Sequence, residues 1–144
     1  MKKTGLPSVI TIAPMGENIM RVGVSIVDTC KELEQRGGDV VGMNCCRGPY
    51  TMMPYLKEIR KNLKCHVEAL PINFRTNKEH PTFFNLPDNN GCTCKTPHET
   101  TFPTALDPMQ CNRYEIGKFA KEAFSIGINY IGVCCGAKKM LIRD

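Results

Sequence analysis

Three cysteines sit where thiol chemistry is favoured. Cys45 follows Gly42-Met43-Asn44, and the adjacent Cys134 and Cys135 follow Gly132-Val133. Sets of thiolates select zinc and other soft metals. Three protein ligands leave one position of a tetrahedral zinc open, which distinguishes a catalytic site from a closed structural one. A single cysteine at a strand end is more often a buried core residue. A cysteine pair at one strand end, matched by a cysteine at another, shifts the balance towards a metal. Gly42 and Asn44, beside the first cysteine, are candidate near-site residues.

The elements that must position these residues are readable from the pattern. Ser8 to Ala13 (SVITIA) is a short β-branched run and reads as a strand. Ser25 and Asp28 have the spacing of a capping box, Ile26, Cys30 and Leu33 recur at helical spacing, and Gly37-Gly38 ends that helix. Asp39 to Met43 (DVVGM) is a second strand that runs into Asn44-Cys45-Cys46. Thr51 is a candidate cap for the next helix, with Pro54 in its first turn and Leu56, Ile59 and Leu63 as its apolar stripe. Cys65 to Leu70 (CHVEAL) is a third strand, weakened by Glu68.

Residues 71–111 carry six prolines and no periodicity, which predicts a long Pro-rich loop. Asn112 and Glu115 form another capping box ahead of Ile116, Phe119, Ala120, Ala123 and Phe124. Gly127 ends that helix. Ile128 to Val133 (INYIGV) is the fourth strand, and Cys134-Cys135-Gly136 follows at once.

Repeated strand–helix units predict an α/β fold with a parallel sheet and right-handed crossovers. An open doubly wound sheet satisfies the order, and so does half of a (β/α)8 barrel, which normally needs about 250 residues. In both architectures ligands bind at the C-terminal ends of the strands. Cys45 and the Cys134-Cys135 pair are therefore delivered to one face.

Gly42-Met43-Asn44-Cys45 and Gly132-Val133-Cys134-Cys135-Gly136 resemble the two zinc-ligand motifs of the homocysteine S-methyltransferase family. Asp107-Pro108 and Cys111-Asn112-Arg113-Tyr114-Glu115-Ile116 resemble the lead into the last full helix of its betaine-type branch. The resemblance starts at Thr4-Gly5-Leu6-Pro7 and covers essentially the whole chain. It implies that residues 1–144 are the C-terminal part of a homocysteine-binding domain of the (β/α)8 TIM-barrel family, a partial barrel of about four βα units. It implies Zn2+ on Cys45, Cys134 and Cys135, and transfer of a methyl group from betaine, S-methylmethionine or another onium donor to the thiol of homocysteine, giving methionine.

Two departures stand out. The family commonly has Gly-Gly before the cysteine pair, where this chain has Gly132-Val133, and position 46 is a further cysteine. Alternation along a strand predicts that Cys46 points away from the metal. The family's contacts to the amino and carboxyl groups of homocysteine, and its donor pocket, come largely from the barrel half not represented here. With no Trp and 7% aromatic residues, the chain has few rings for a quaternary ammonium. The rival reading is therefore a non-catalytic zinc-binding half-barrel: a truncated product, a pseudoenzyme or an interaction module. A half-barrel leaves the first and fourth strands as open edges and turns apolar residues, expected to be Ile10, Val41 and Ile131, towards its inner face. That predicts a homo-oligomer or a partner supplying the N-terminal half.

Other constellations are weaker. Cys92 and Cys94, with His98 and Cys111 downstream, lack the spacing of a standard zinc finger. His66 and His80 read as ordinary residues, and neither a Gly-rich phosphate loop nor a Ser-His-Asp arrangement is present. The net charge of +5 is spread over helix faces such as Lys57, Arg60, Lys61 and Lys64, with no nucleic-acid-binding motif. No apolar run of about 18 residues spans a membrane, and the start of the chain lacks an apolar signal core. Nine cysteines, an odd number with two adjacent pairs, fit a reducing, cytoplasmic compartment better than a disulfide framework.

Overall fold

The computed structural model describes residues 4–16, 19–20, 22–88 and 100–141. Strand β1 (Val9–Ile12), helix α1 (Ile26–Gln35), β2 (Val40–Asn44), α2 (Pro49–Asn62), β3 (His66–Leu70), α3 (Arg113–Ser125) and β4 (Tyr130–Ile131) alternate along the chain. The strands form one sheet in the order β1-β2-β3-β4, each pair parallel. This is the sheet expected of successive βα units and is compatible with part of a barrel.

Local chemistry explains the boundaries. Ser25 caps α1 by accepting the Asp28 N–H at 3.0 Å and donates its own hydroxyl to Asp28 Oδ2 at 2.7 Å. Past the end of α1, Gly37 takes φ 92°, a left-handed turn that suits glycine. Asp39 then accepts both the backbone N–H and the hydroxyl of Ser8, at 2.7 and 2.9 Å, fixing β1 against β2.

Helix α2 begins earlier than its sequence predicts. Gly48 is the N-cap and Pro49 stands in the first turn. Thr51 therefore lies inside the helix, where its hydroxyl meets that of Thr76 at 2.6 Å, and Pro54 is an interior proline. The Arg47-Gly48-Pro49 turn supplies the start signal that Thr51 was expected to give. Asn112 caps α3 with a complete capping box, and Arg75 adds a two-pronged bond to Glu115 at 2.8 Å on each arm. Phe124, expected on the apolar stripe of α3, is exposed.

The core lies between the sheet and the three helices. Ile12, Val41, Met43, Val67 and Ala69 pack there with Ile26, Cys30, Leu56, Ile59, Phe119 and Ala123. Ile10 pairs with Val41 in register and shares its face, and Ile131 packs against the same core. The expectation that Ile10, Val41 and Ile131 line an inner face is therefore reversed. The more apolar parity of the strands packs under the helices instead. The opposite face carries the row Thr11, Gly42, Glu68 and Tyr130, aligned across all four strands.

Glu68 does not weaken β3, which runs from His66 to Leu70 and pairs on both sides. Its side chain is fully buried, both carboxyl oxygens lack hydrogen-bond partners, and burial pushes its pKa up to about 6. An acid whose pKa is raised on folding favours the folded state while protonated, and this stability fades as pH climbs through the folded pKa. A rise from 4.5 to about 6 corresponds to about 2 kcal/mol between pH 4.5 and 7.5. Glu68→Gln should remove that slope and leave the variant the more stable protein at pH 7.5, as read by urea unfolding at the two pH values. An unchanged pH slope would show that the carboxyl is not its source.

Residues 71–88 and 100–111 are not featureless. They contain short 3-10 turns at Phe83–Asn85 and Asp107–Met109 and a second core of Ile72, Phe74, Phe83 and Leu86. Phe83 stacks parallel to Phe74 at 6.1 Å and meets Phe102 edge-on at 5.2 Å. Cys45 packs against this cluster. Among the described residues no helix is long and apolar enough to cross a membrane.

Candidate metal centre

The chain leaves β2 through two consecutive left-handed residues, Cys45 (φ 68°) and Cys46 (φ 63°). Such a conformation is uncommon outside glycine and persists only where surrounding bonds fix it. Here Cys45 donates its N–H to Leu70 O at 2.9 Å, Arg47 to Cys45 O at 2.8 Å, and Phe83 to Cys46 O at 3.1 Å. On the far side, Cys134 donates to Pro71 O at 2.7 Å and Asn73 donates to Cys135 O at 2.9 Å. The stretch Leu70-Pro71-Ile72-Asn73 therefore laces the two cysteine segments together from between them. Two glycines permit the approach. A Cβ at Gly132 would lie 2.7 Å from Leu70 Cδ2, and one at Gly136, itself at φ 81°, would lie 2.7 Å from the Phe74 ring.

The sulfurs of Cys45, Cys134 and Cys135 converge to within 4.8 Å of one another. Cys45 Sγ lies 3.5 Å from Cys135 Sγ, which lies 3.8 Å from Cys134 Sγ. A tetrahedral zinc with bonds of about 2.3 Å sets its sulfurs about 3.8 Å apart, so the three thiols fit the ion with little movement. The Cys134 thiol is pushed up to about 12 by burial and by hydrogen bonds with Cys45 and Cys135; burial first, then Cys45, also raises Cys135. Thiols that hold their protons this firmly lose them when a cation provides the missing charge. Cys135 is exposed and the other two half-buried, so the cluster opens to solvent on one side.

A family model for homocysteine S-methyltransferase matches residues 2–144. The chain belongs to the homocysteine S-methyltransferase family. It is 28% identical, over 99% of its length, to an S-methylmethionine–homocysteine S-methyltransferase of Rattus norvegicus, covering 37% of that protein. It is 31% identical, over 94% of its length, to betaine–homocysteine S-methyltransferase 1 of Xenopus tropicalis, covering 32% of it. The same enzyme of Danio rerio is 31% identical over 99% of this chain. The chain thus spans about a third of the length of these methyltransferases.

Within this member of the family, Cys46 is buried and its thiol is pushed up to about 11, chiefly by burial and then by Cys45. Strand alternation does not govern its direction, because residues 45 and 46 are both left-handed. Gly42 pairs with Glu68 in register, and a Cβ there would overlap the Glu68 carbonyl. Asn44 has a buried Oδ1 with no partner. Cys92, Cys94 and His98 lie outside the described residues. Cys111 is buried apart from the cluster, His66 is exposed, and His80 is half-buried in a turn with Asn77.

Asn73 escaped the sequence reading. Its signal was position alone, two residues past β3 in a segment without periodicity. It is 1% exposed, and besides its backbone bonds its Nδ2 donates to Gly136 O at 3.1 Å. Asn73→Ala should weaken zinc binding about tenfold, the usual scale for a residue that orients ligands from behind. Competition against a chromophoric chelator measures this, and an unchanged affinity would deny Asn73 that role.

Proposed function

We propose that this chain is the zinc-binding part of a homocysteine S-methyltransferase that moves a methyl group from betaine, S-methylmethionine or a related onium donor to homocysteine. The observation that carries the reading is the convergence of three thiols from two strand ends in a chain of this family. Cys45, Cys134 and Cys135 would hold Zn2+ and leave its fourth position for a substrate sulfur. Zinc, when bound there, lowers the pKa of a coordinated thiol and positions it. The Leu70–Asn73 lacing holds together the two backbone segments that carry the three cysteines, which limits the reorganisation the site needs as substrate enters. In the transfer, the homocysteine thiol gives up its proton to solvent, its sulfur forms a bond to the methyl carbon as the carbon–onium bond breaks, and the donor leaves as a neutral amine or thioether.

The four-stranded parallel sheet is read as part of a (β/α)8 barrel, with β1 and β4 as the strands that others would join. The alternative reading is a non-catalytic zinc-binding half-barrel. Free thiols among the described residues suit a reducing, cytoplasmic setting.

The test is methionine formation from homocysteine by the zinc-loaded chain, with betaine and S-methylmethionine offered separately. Turnover abolished by Cys135→Ser is expected. Stoichiometric zinc with no methionine from either donor would sink the catalytic reading for this chain and leave the half-barrel.

A further inference from the structure

Away from the cysteine cluster, a cleft of about 660 Å³ opens between the start of α1 and the side of α2. Its walls include Ser25, Ile26, Val27, Arg47, Tyr55 and Lys78, and none of the three clustered cysteines. Arg47 is the unusual member. It is 2% exposed, yet among the described residues it makes no ion pair. Its Nη2 donates to the Gly16 carbonyl, its guanidinium lies 4.8 Å from the Tyr55 ring centre, and its Nε is buried with no acceptor. A buried N–H of a charged group without an acceptor is costly and calls for one, and an anion is the strongest partner it can have.

The surroundings point the same way. Ser25, Ile26 and Val27 are the cap and first two residues of the ten-residue α1, so the N-terminus of that helix borders the cleft, with the Asp28 carboxylate of the same turn engaged by Ser25 and Lys31. Lys78 is exposed and makes no ion pair among the described residues. The acid on the wall, Glu58, is already engaged by Lys61 at 3.6 Å. Tyr50, Tyr55 and Pro54 supply flat apolar surface beside the cationic end. A volume of this size suits a small molecule rather than a lone ion.

We propose that this cleft binds a small organic anion, a carboxylate or phosphate ester with an apolar body, seated on the guanidinium of Arg47. The site is separate from the thiol cluster, although the backbone of Arg47 belongs to the turn that holds Cys45.

The test uses the 144-residue chain, labelled with 15N and titrated at constant ionic strength with phenyl phosphate and, separately, with inorganic phosphate. Saturable shifts are expected at the Arg47 Nε–Hε signal and at the Ile26 and Val27 amides. Phenyl phosphate should bind about tenfold more tightly than inorganic phosphate through its ring. Arg47→Lys keeps the charge but not the planar fork, and should weaken phenyl phosphate binding about tenfold. Lys78→Ala, on the exposed rim and not expected to disturb folding, should weaken it about threefold. Shifts that grow linearly and match a chloride control would overturn the proposal. So would shifts centred away from α1 and Arg47, equal affinity for the two probes, or a Lys78→Ala protein that binds as wild type.

Discussion

Cys45→Ser, Cys134→Ser and Cys135→Ser will each cut the zinc retained by the purified chain from about one equivalent to less than about a fifth, as a three-thiolate site requires. A serine hydroxyl stays protonated near neutral pH and is a poor ligand for a soft ion. The loss is large because two sulfurs remain and no described carboxylate or histidine joins the three-thiol group. Cys111→Ser is the matched control, since Cys111 is buried but outside the cluster. Cys92→Ser and Cys94→Ser should also retain zinc. If they lose it as fully as the cluster variants, the metal belongs to that segment and not to the three-thiol cluster. The zinc–sulfur distances of the loaded protein decide the place of Cys46. A Cys46 sulfur at about 2.3 Å would make the centre a closed four-thiolate site with no position for substrate.

The frame that carries these cysteines was largely visible in the sequence because it is built from local signals. Ser25 before Ile26, Asn112 three residues before Glu115, and β-branched runs bounded by glycine act within one turn or one strand. They located α1, α3 and the first three strands closely. The cysteines could be singled out because strand ends in parallel sheets share a face. What escaped depends on contacts between distant segments. The start of α2 is fixed by Gly48 and Pro49, and Gly48 itself sits against Phe74 and Thr76. The facing of Ile10 and Val41 follows from where the helices pack, which the strand residues alone do not reveal. The lacing of Cys45, Cys134 and Cys135 through Leu70–Asn73 is made of backbone bonds, and these leave no mark on residue type. Fourth-strand pairing is limited to Tyr130–Ile131, shorter than the apolar run Ile128–Val133, because Ile128 turns into the helix-side core.

Gly42→Ala is the substitution whose effect should most exceed its chemical size. The change adds one methyl group in the middle of a strand, where alanine has no conformational difficulty of its own. Yet the Cβ would overlap the Glu68 carbonyl oxygen and lie 2.7 Å from both the Glu68 carbonyl carbon and its nitrogen. These are backbone atoms of the neighbouring strand, so no rotamer change relieves the contact. β2 and β3 must separate. The Cys45 N–H to Leu70 O bond, which continues the same pairing beyond Asn44, must then lengthen or break. A loss of about 3 kcal/mol or more is expected, at the upper end for overpacking because the obstacle is main chain. The metal site should suffer with it, since Cys45 hangs from that register. Gly117→Ala provides the contrast. Gly117 lies inside α3, and nothing stands within 4 Å of the position its Cβ would take. There alanine should stabilise the protein by about 0.5–1 kcal/mol, through helix propensity and a less disordered unfolded chain. Urea unfolding of the two variants beside wild type gives the comparison. If Gly42→Ala falls within about 1 kcal/mol of wild type, the usual span of a harmless change, the two strands do not approach as closely as described. The glycine before Asn44-Cys45 would then need a reason other than the packing of β2 on β3.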